Sequence, residues 1–86
     1  MARYRLRFKR SVAKDLRKIP NADVVRILTR IDSLSENPRG PGVKKLAARE
    51  VYRMRQGAYR IIYEIQDDLL VVHVIRVAHR SEAYES

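Results

Sequence analysis

The sequence predicts a small α+β domain in the order βααβββ, with two helices on one face of a mostly antiparallel four-stranded sheet. Three observations carry this expectation. An alternating run opens the chain, two helix-period runs follow, and three strand-like runs lie beyond the single Pro/Gly cluster, Asn37-Pro38-Arg39-Gly40-Pro41-Gly42. With 86 residues, 45% of them hydrophobic, the chain is expected to form one domain over residues 1–86.

Each element has its own signal. From Arg3 to Phe8, Arg3, Arg5 and Arg7 alternate with Tyr4, Leu6 and Phe8, the period of a half-buried strand. Ser11 is a candidate cap for a short helix with Val12, Leu16 and Ile19 on one side. After Pro20, Asn21 is a candidate cap for a second helix, with an apolar stripe of Val24, Ile27, Leu28, Ile31 and Leu34. Beyond the Pro/Gly cluster, Val51 to Arg55, Tyr59 to Gln66 and Leu69 to Ala78 read as strands. Turns are expected at Gln56-Gly57 and Asp67-Asp68.

A two-residue turn at Gln56-Gly57 sets Met54 opposite Tyr59, Arg53 opposite Arg60 and Tyr52 opposite Ile61. Side chains repeat on one face every second residue, so Tyr52, Met54, Tyr59, Ile61, Tyr63 and Ile65 face the helices. Arg53, Arg55 and Arg60 then share the uncovered face. A three-residue loop would drive Arg60 into the apolar layer, which is costly. The last strand is apolar on both parities, and its faces stay unassigned.

Charge narrows the function classes. The balance of 19 Lys+Arg against 10 Asp+Glu gives +9 and implies an acidic partner. Residues 1–18 hold eight basic side chains and one acid, Asp15, and residues 39–60 hold seven (Arg39, Lys44, Lys45, Arg49, Arg53, Arg55, Arg60) and one acid, Glu50. Cysteine is absent, which excludes a thiol nucleophile or thiolate metal site. No apolar run approaches a membrane span of roughly 20 residues, and the start lacks a signal-peptide pattern, so a cytoplasmic protein is expected. Guanidinium groups facing each other across strands repel unless an anion lies between them, and their fork suits phosphate oxygens.

The residues that follow carry a resemblance. Tyr52-Arg53-Met54-Arg55, then Gly57-Ala58-Tyr59-Arg60-Ile61-Ile62-Tyr63-Glu64, then Val77-Ala78-His79-Arg80-Ser81-Glu82-Ala83-Tyr84, set on the order βααβββ, closely resemble the RelE/ParE toxin superfamily and its RelE branch. The resemblance runs from the first strand to Tyr84. It implies the toxin of a type II toxin–antitoxin system, an endoribonuclease that cleaves messenger RNA on the ribosome and is held inactive by an acidic, RelB-like antitoxin. It further implies that Arg53 and Arg55 contact the phosphate backbone and assist proton transfer, and that Arg60 and Arg80 stabilise charge on the scissile phosphate. Tyr84 would stack on a substrate base and take the 2′-hydroxyl proton. Lys44, Lys45, Arg49 and His79 are expected RNA contacts.

The implied chemistry is in-line attack of a 2′-hydroxyl on the adjacent phosphate, with fixed cations meeting the added negative charge and no metal or other cofactor required. Asp67-Asp68 reads as a turn rather than a metal site. Two residues compete as general base: Tyr84, ordinarily near pKa 10, and His79, with an intrinsic pKa of about 6.5. His79 also reads as a strand-end residue with a structural hydrogen bond, and His73, inside an apolar strand, as structural. The chain departs from the family pattern at Leu46-Ala47-Ala48, where some relatives carry Leu-Arg-Gly, and it has two residues after Tyr84 where some relatives have a helix. Two rival functions share the fold expectation: a ParE-like inhibitor of DNA gyrase without nuclease activity, and a nucleic-acid-binding module without catalysis.

Overall fold

The computed structural model describes residues 3–46 and 49–81. Strand β1 (Arg5–Phe8) leads into helices α1 (Arg10–Arg17) and α2 (Asn21–Asp32), and a 3-10 turn follows at Ser33–Ser35. Four strands complete the order: β2 (Val43–Lys45), β3 (Val51–Gln56), β4 (Tyr59–Gln66) and β5 (Val71–His79). The sheet therefore has five strands, arranged β1-β5-β4-β3-β2, against the four expected. The extra strand, Val43-Lys44-Lys45, is too short to display a period, and its lysines are typical of an edge strand that must not pair further. Only β1 runs parallel to its neighbour, β5; the remaining pairs are antiparallel.

Both helices lie on one face. Val12, Ile19, Ile27, Ile31 and Leu34 pack with Tyr52, Met54, Ile61, Tyr63, Ile65, Val72, Val74 and Val77 in one buried cluster. Burying each aliphatic side chain stabilises by about 1.5–3 kcal/mol, which makes this layer the main source of stability. Helix starts are displaced from the expected caps, by two residues in α1 and one in α2: Lys9 and Pro20 precede the helices, Ser11 and Asn21 lie inside them, and neither helix has a side-chain cap.

The β3–β4 turn also corrects the expected register. Gln56 pairs with Tyr59, Arg55 with Arg60, Met54 with Ile61 and Tyr52 with Tyr63, so the turn is Gly57-Ala58. Gly57 has φ 59°, and a two-residue hairpin with positive φ at its first central position selects glycine there. The slip is two residues, so every side chain keeps its expected face. The β4–β5 connection is longer than expected, a turn over residues 67–70 that ends on Leu70 at φ 52°.

Strand β5 changes parity midway. Ile62 pairs with Arg76 while Tyr63 pairs with Val74, leaving Ile75 as an extra residue, a β-bulge. Before it, Val72 and Val74 face the core; after it, Val77 does. Without a bulge, uninterrupted alternation through the same residues would turn Arg76 and Ala78 toward the helices. The bulge instead delivers both to the uncovered face.

The Pro/Gly loop is anchored to the sheet by polar contacts. Tyr63 donates its buried hydroxyl to the Pro38 carbonyl at 2.7 Å. Arg39 reaches Glu50 Oε1 at 2.6 Å and Asp67 Oδ2 at 2.7 Å, donates to the Tyr52 hydroxyl at 3.1 Å, and lies 5.5 Å from that ring's centre. Tyr4 adds a hydrogen bond to Asp67 Oδ1 at 2.5 Å. Asp67 is therefore a clamp as well as a turn residue. The Lys45, Arg39 and Tyr52 contacts hold Glu50 at about 2, and Arg39 and Tyr4 hold Asp67 at about 2, both below the ordinary carboxylate range.

Candidate nucleic-acid interface

The uncovered face is built by rows of paired residues, each row crossing several strands. One row carries Arg55, Arg60 and Ala78; the next carries Lys44, Arg53, Ile62 and Arg76. Because residues directly opposite share a face, these pairings bring five cations together from four strands. A third row, toward the other end of the sheet, holds Arg7, His73 and Glu64, with His73 Nδ1 3.5 Å from Glu64 Oε1. Arg5, opposite Val71, continues it.

At the centre lies a concavity of about 290 Å³, lined by Leu46, Arg53, Arg60, Ile62, Ile75, Arg76 and Ala78. Ala78 stands directly across from Arg60, and a larger residue there would fill the space beside the guanidinium. Arg60 is only 8% exposed, and Ile62, Ile75 and Leu46 surround the charges with apolar surface. A positive charge set in such a wall is screened less by water than one on a flat surface, so it attracts an entering anion more strongly. The arrangement can hold a phosphate between converging guanidinium forks and stabilise added negative charge on it.

The expected site residues divide. Arg53, Arg55, Arg60 and Lys44 come together on the uncovered face. Arg80 follows β5, is exposed, and donates its amide to the Ala58 carbonyl at 2.8 Å; alternation carried one residue past His79 puts it on the Arg60 side. Lys45 is opposite Tyr52, on the helix side, and its ammonium is 2.8 Å from Glu50 Oε2. That contact raises its pKa. Arg49 is exposed in the bend before β3.

His79 is opposite Tyr59, also on the helix side, with the rings edge-on at 5.5 Å. Its Nδ1 accepts from the Ser81 amide at 3.2 Å and lies 2.8 Å from Ser81 Oγ. The structural reading of His79 thus has named partners, across the sheet from the arginines. His73, expected to be structural, is on the arginine face. Tyr84, Ala47 and Ala48 lie outside the described residues.

Arg76 was missed by sequence reasoning. It sits in an apolar run, Val74-Ile75-Arg76-Val77, where alternation gives no face until the bulge is known. A charged residue inside an otherwise apolar strand was the available signal. Arg5 and Arg7 were legible as a period-two pair, but nothing in the sequence said that β1 joins this sheet beside β5.

Comparison with known proteins agrees with this geometry. Residues 6–84 match the family described as ParE toxin of type II toxin-antitoxin system, parDE. Toxin RelG of Mycobacterium tuberculosis is 32% identical over 85 residues, covering 94% of this chain and 95% of that protein. The toxin in the toxin–antitoxin complex RelBE2 of Mycobacterium tuberculosis superposes with TM-score 0.80 at 30% identity, covering 91% of this chain and 99% of the other. The isolated Escherichia coli RelE toxin superposes with TM-score 0.78 at 26% identity, covering 95% and 96%. Among the described residues no helix is long and apolar enough to cross a membrane. With its helix-backed sheet and its family match over nearly the whole length, the chain belongs to the RelE/ParE family of type II toxin–antitoxin toxins and is a homologue of the RelE-type toxins.

Proposed function

We propose that this chain is an endoribonuclease that cleaves messenger RNA on the ribosome, by attack of a 2′-hydroxyl on the adjacent phosphate. The observation that carries the reading is the concavity in which Arg53, Arg60 and Arg76 converge, with Arg55 and Lys44 beside it. The 2′-oxygen forms a bond to phosphorus and loses its proton, while the bond to the 5′-oxygen breaks and that oxygen gains a proton. The products are a 2′,3′-cyclic phosphate and a 5′-hydroxyl. One added negative charge passes over the phosphoryl oxygens in this step, and Arg60 and Arg76 meet it without reorganising. Arg53 and Arg55 hold the flanking backbone, Arg80 adds a further cation, and Tyr84 stacks on a base and accepts the 2′-hydroxyl proton.

The relatives' complexes support an antitoxin for this chain as well: RelE-type toxins have been crystallised with RelB in the Mycobacterium tuberculosis, Pyrococcus horikoshii and Escherichia coli complexes. An acidic RelB-like chain complements the +9 charge, and a ribosomal substrate makes the working compartment the cytoplasm.

The rival with a specific observation behind it is gyrase poisoning, since the matching family is described by its ParE toxins. Programmed ribosomes and a gyrase–DNA mixture, each treated with the purified chain, separate the two. The nuclease reading expects messages cut within the ribosome-covered segment and no gyrase–DNA cleavage complexes. Intact messages with accumulated cleavage complexes would establish the rival.

A further inference from the structure

We infer that Arg5 and Arg7 on β1 form a second phosphate-binding step, which holds the backbone of a single RNA strand several nucleotides from the one in the concavity. Identifying that strand as the cleaved one rests on the nuclease reading above; the placement of the two arginines does not.

The placement follows from pairing. Arg5 is opposite Val71 and Arg7 opposite His73, and those residues are opposite Gln66 and Glu64 on β4. Strand β4 alternates without interruption, so Gln66, Glu64, Ile62 and Arg60 share one face. Arg5 and Arg7 are therefore on the arginine side of the sheet. Both are exposed, while Leu6 between them packs against the core. Neither takes part in an ion pair among the described residues, in contrast to Arg3, which lies 3.9 Å from Glu36. Two arginines whose backbone positions are about 6.6 Å apart on one face of a strand repel, and a polyanion bridging them relieves the repulsion.

The step lies within reach of the concavity. Arg7 and Arg60 are two strand intervals apart, about 10 Å, and four residues apart along β4, about 13 Å. The diagonal is about 16 Å, at most about five steps of a stacked strand at 3.4 Å each. Arg76 lies between them. The acid near this path is Glu64, and His73 sits 3.5 Å from it. Charged edge strands can also serve merely to block edge-to-edge pairing, and that role would leave RNA affinity unmoved.

Binding of 2′-O-methyl RNA, which resists the proposed cleavage, tests the inference on the full chain. Two probes suffice: a dinucleotide, which fits the concavity alone, and an oligomer of about twelve nucleotides, which spans both sites. The R5Q/R7Q variant, with an unchanged thermal melt, is expected to bind the oligomer with a log–log salt slope shallower by about 1.4, two contacts at about 0.7 each. Over the decade from 1 M to 0.1 M salt this is a relative loss of about 25-fold. Dinucleotide binding should not change, and R5K/R7K should restore most of the slope.

An unchanged slope in R5Q/R7Q overturns the inference whatever the concavity does. So does a variant that loses affinity for poly-glutamate and keeps it for RNA, which would make β1 a protein-binding edge. An R53Q/R76Q variant reports on the concavity separately: if neither probe notices it, the nuclease reading fails, and the result for Arg5 and Arg7 still stands on its own.

Discussion

Arg55 stands directly across from Arg60 on the β3–β4 ladder, one exposed and one buried on the same face of the sheet. Like charges in facing positions destabilise a sheet, so this pair is a cost that an anionic ligand relieves. Arg55→Thr, which keeps β-propensity and removes one charge, is expected to stabilise the free protein by about 0.2–1 kcal/mol. For a domain of this size the upper figure is about 4–8 °C in Tm. The same variant should weaken RNA binding. Thermal melts with and without RNA check both signs, and a lower Tm for the free variant would remove the repulsion argument.

Arg60 lies deepest in the concavity, and its contribution should be largest where charge develops. Arg60→Ala is expected to lower the cleavage rate by about 10²–10³, the range for losing one fixed donor to a transition-state anion. Arg60→Lys should recover part of it, because charge survives while the fork is lost. Single-turnover cleavage on programmed ribosomes measures the rate, with circular dichroism as the check on folding.

The bulge at Ile75 makes a separate expectation. Deleting Ile75 removes the extra residue and leaves Val74, Arg76, Val77 and Ala78 alternating on the faces they occupy now. No charge is driven into the core, so the deletion variant should keep a cooperative melt. Arg76→Gln keeps the bulge and should retain the melt while slowing cleavage. A deletion variant without a cooperative melt would show that the extra residue does not set the parity.

Acid stability should depend on Arg39. Glu50 and Asp67 both titrate near 2 in the folded chain, below their ordinary 4.5 and 3.8. The folded state thus binds fewer protons than the unfolded one in this range. Their contribution is fully present above about pH 4.5 and is lost as pH falls toward 2. Arg39→Ala is expected to lower Tm at neutral pH, with the gap to wild type narrowing from pH 4.5 downward. Melts across that range measure it, and a gap independent of pH would assign the Arg39 effect to packing on Tyr52 instead.

The sequence was most legible where a period was long and unambiguous. The α2 stripe and the alternation of β4 gave their elements within a residue or two. Arg53, Arg55 and Arg60 were grouped correctly although the turn was misplaced, because a two-residue slip conserves faces. Strand β2 was invisible at three residues. Strand β5 hid its faces because it is apolar on both parities and carries a bulge, and with it went Arg76 and the side taken by His79. The Arg39 clamp joins residues as far apart as 39 and 67, a contact no local pattern encodes.

The central claim is that the arginine face serves an attack by the RNA's own 2′-hydroxyl. Replacing that hydroxyl with hydrogen at the single nucleotide before the mapped cleavage point, in a message bound to translating ribosomes, tests it most directly. Loss of cleavage at that position, with an unmodified control yielding 5′-hydroxyl and cyclic phosphate ends, is the expected result. Equal cleavage of the deoxy-substituted message, or 5′-phosphate ends from the control, would contradict it.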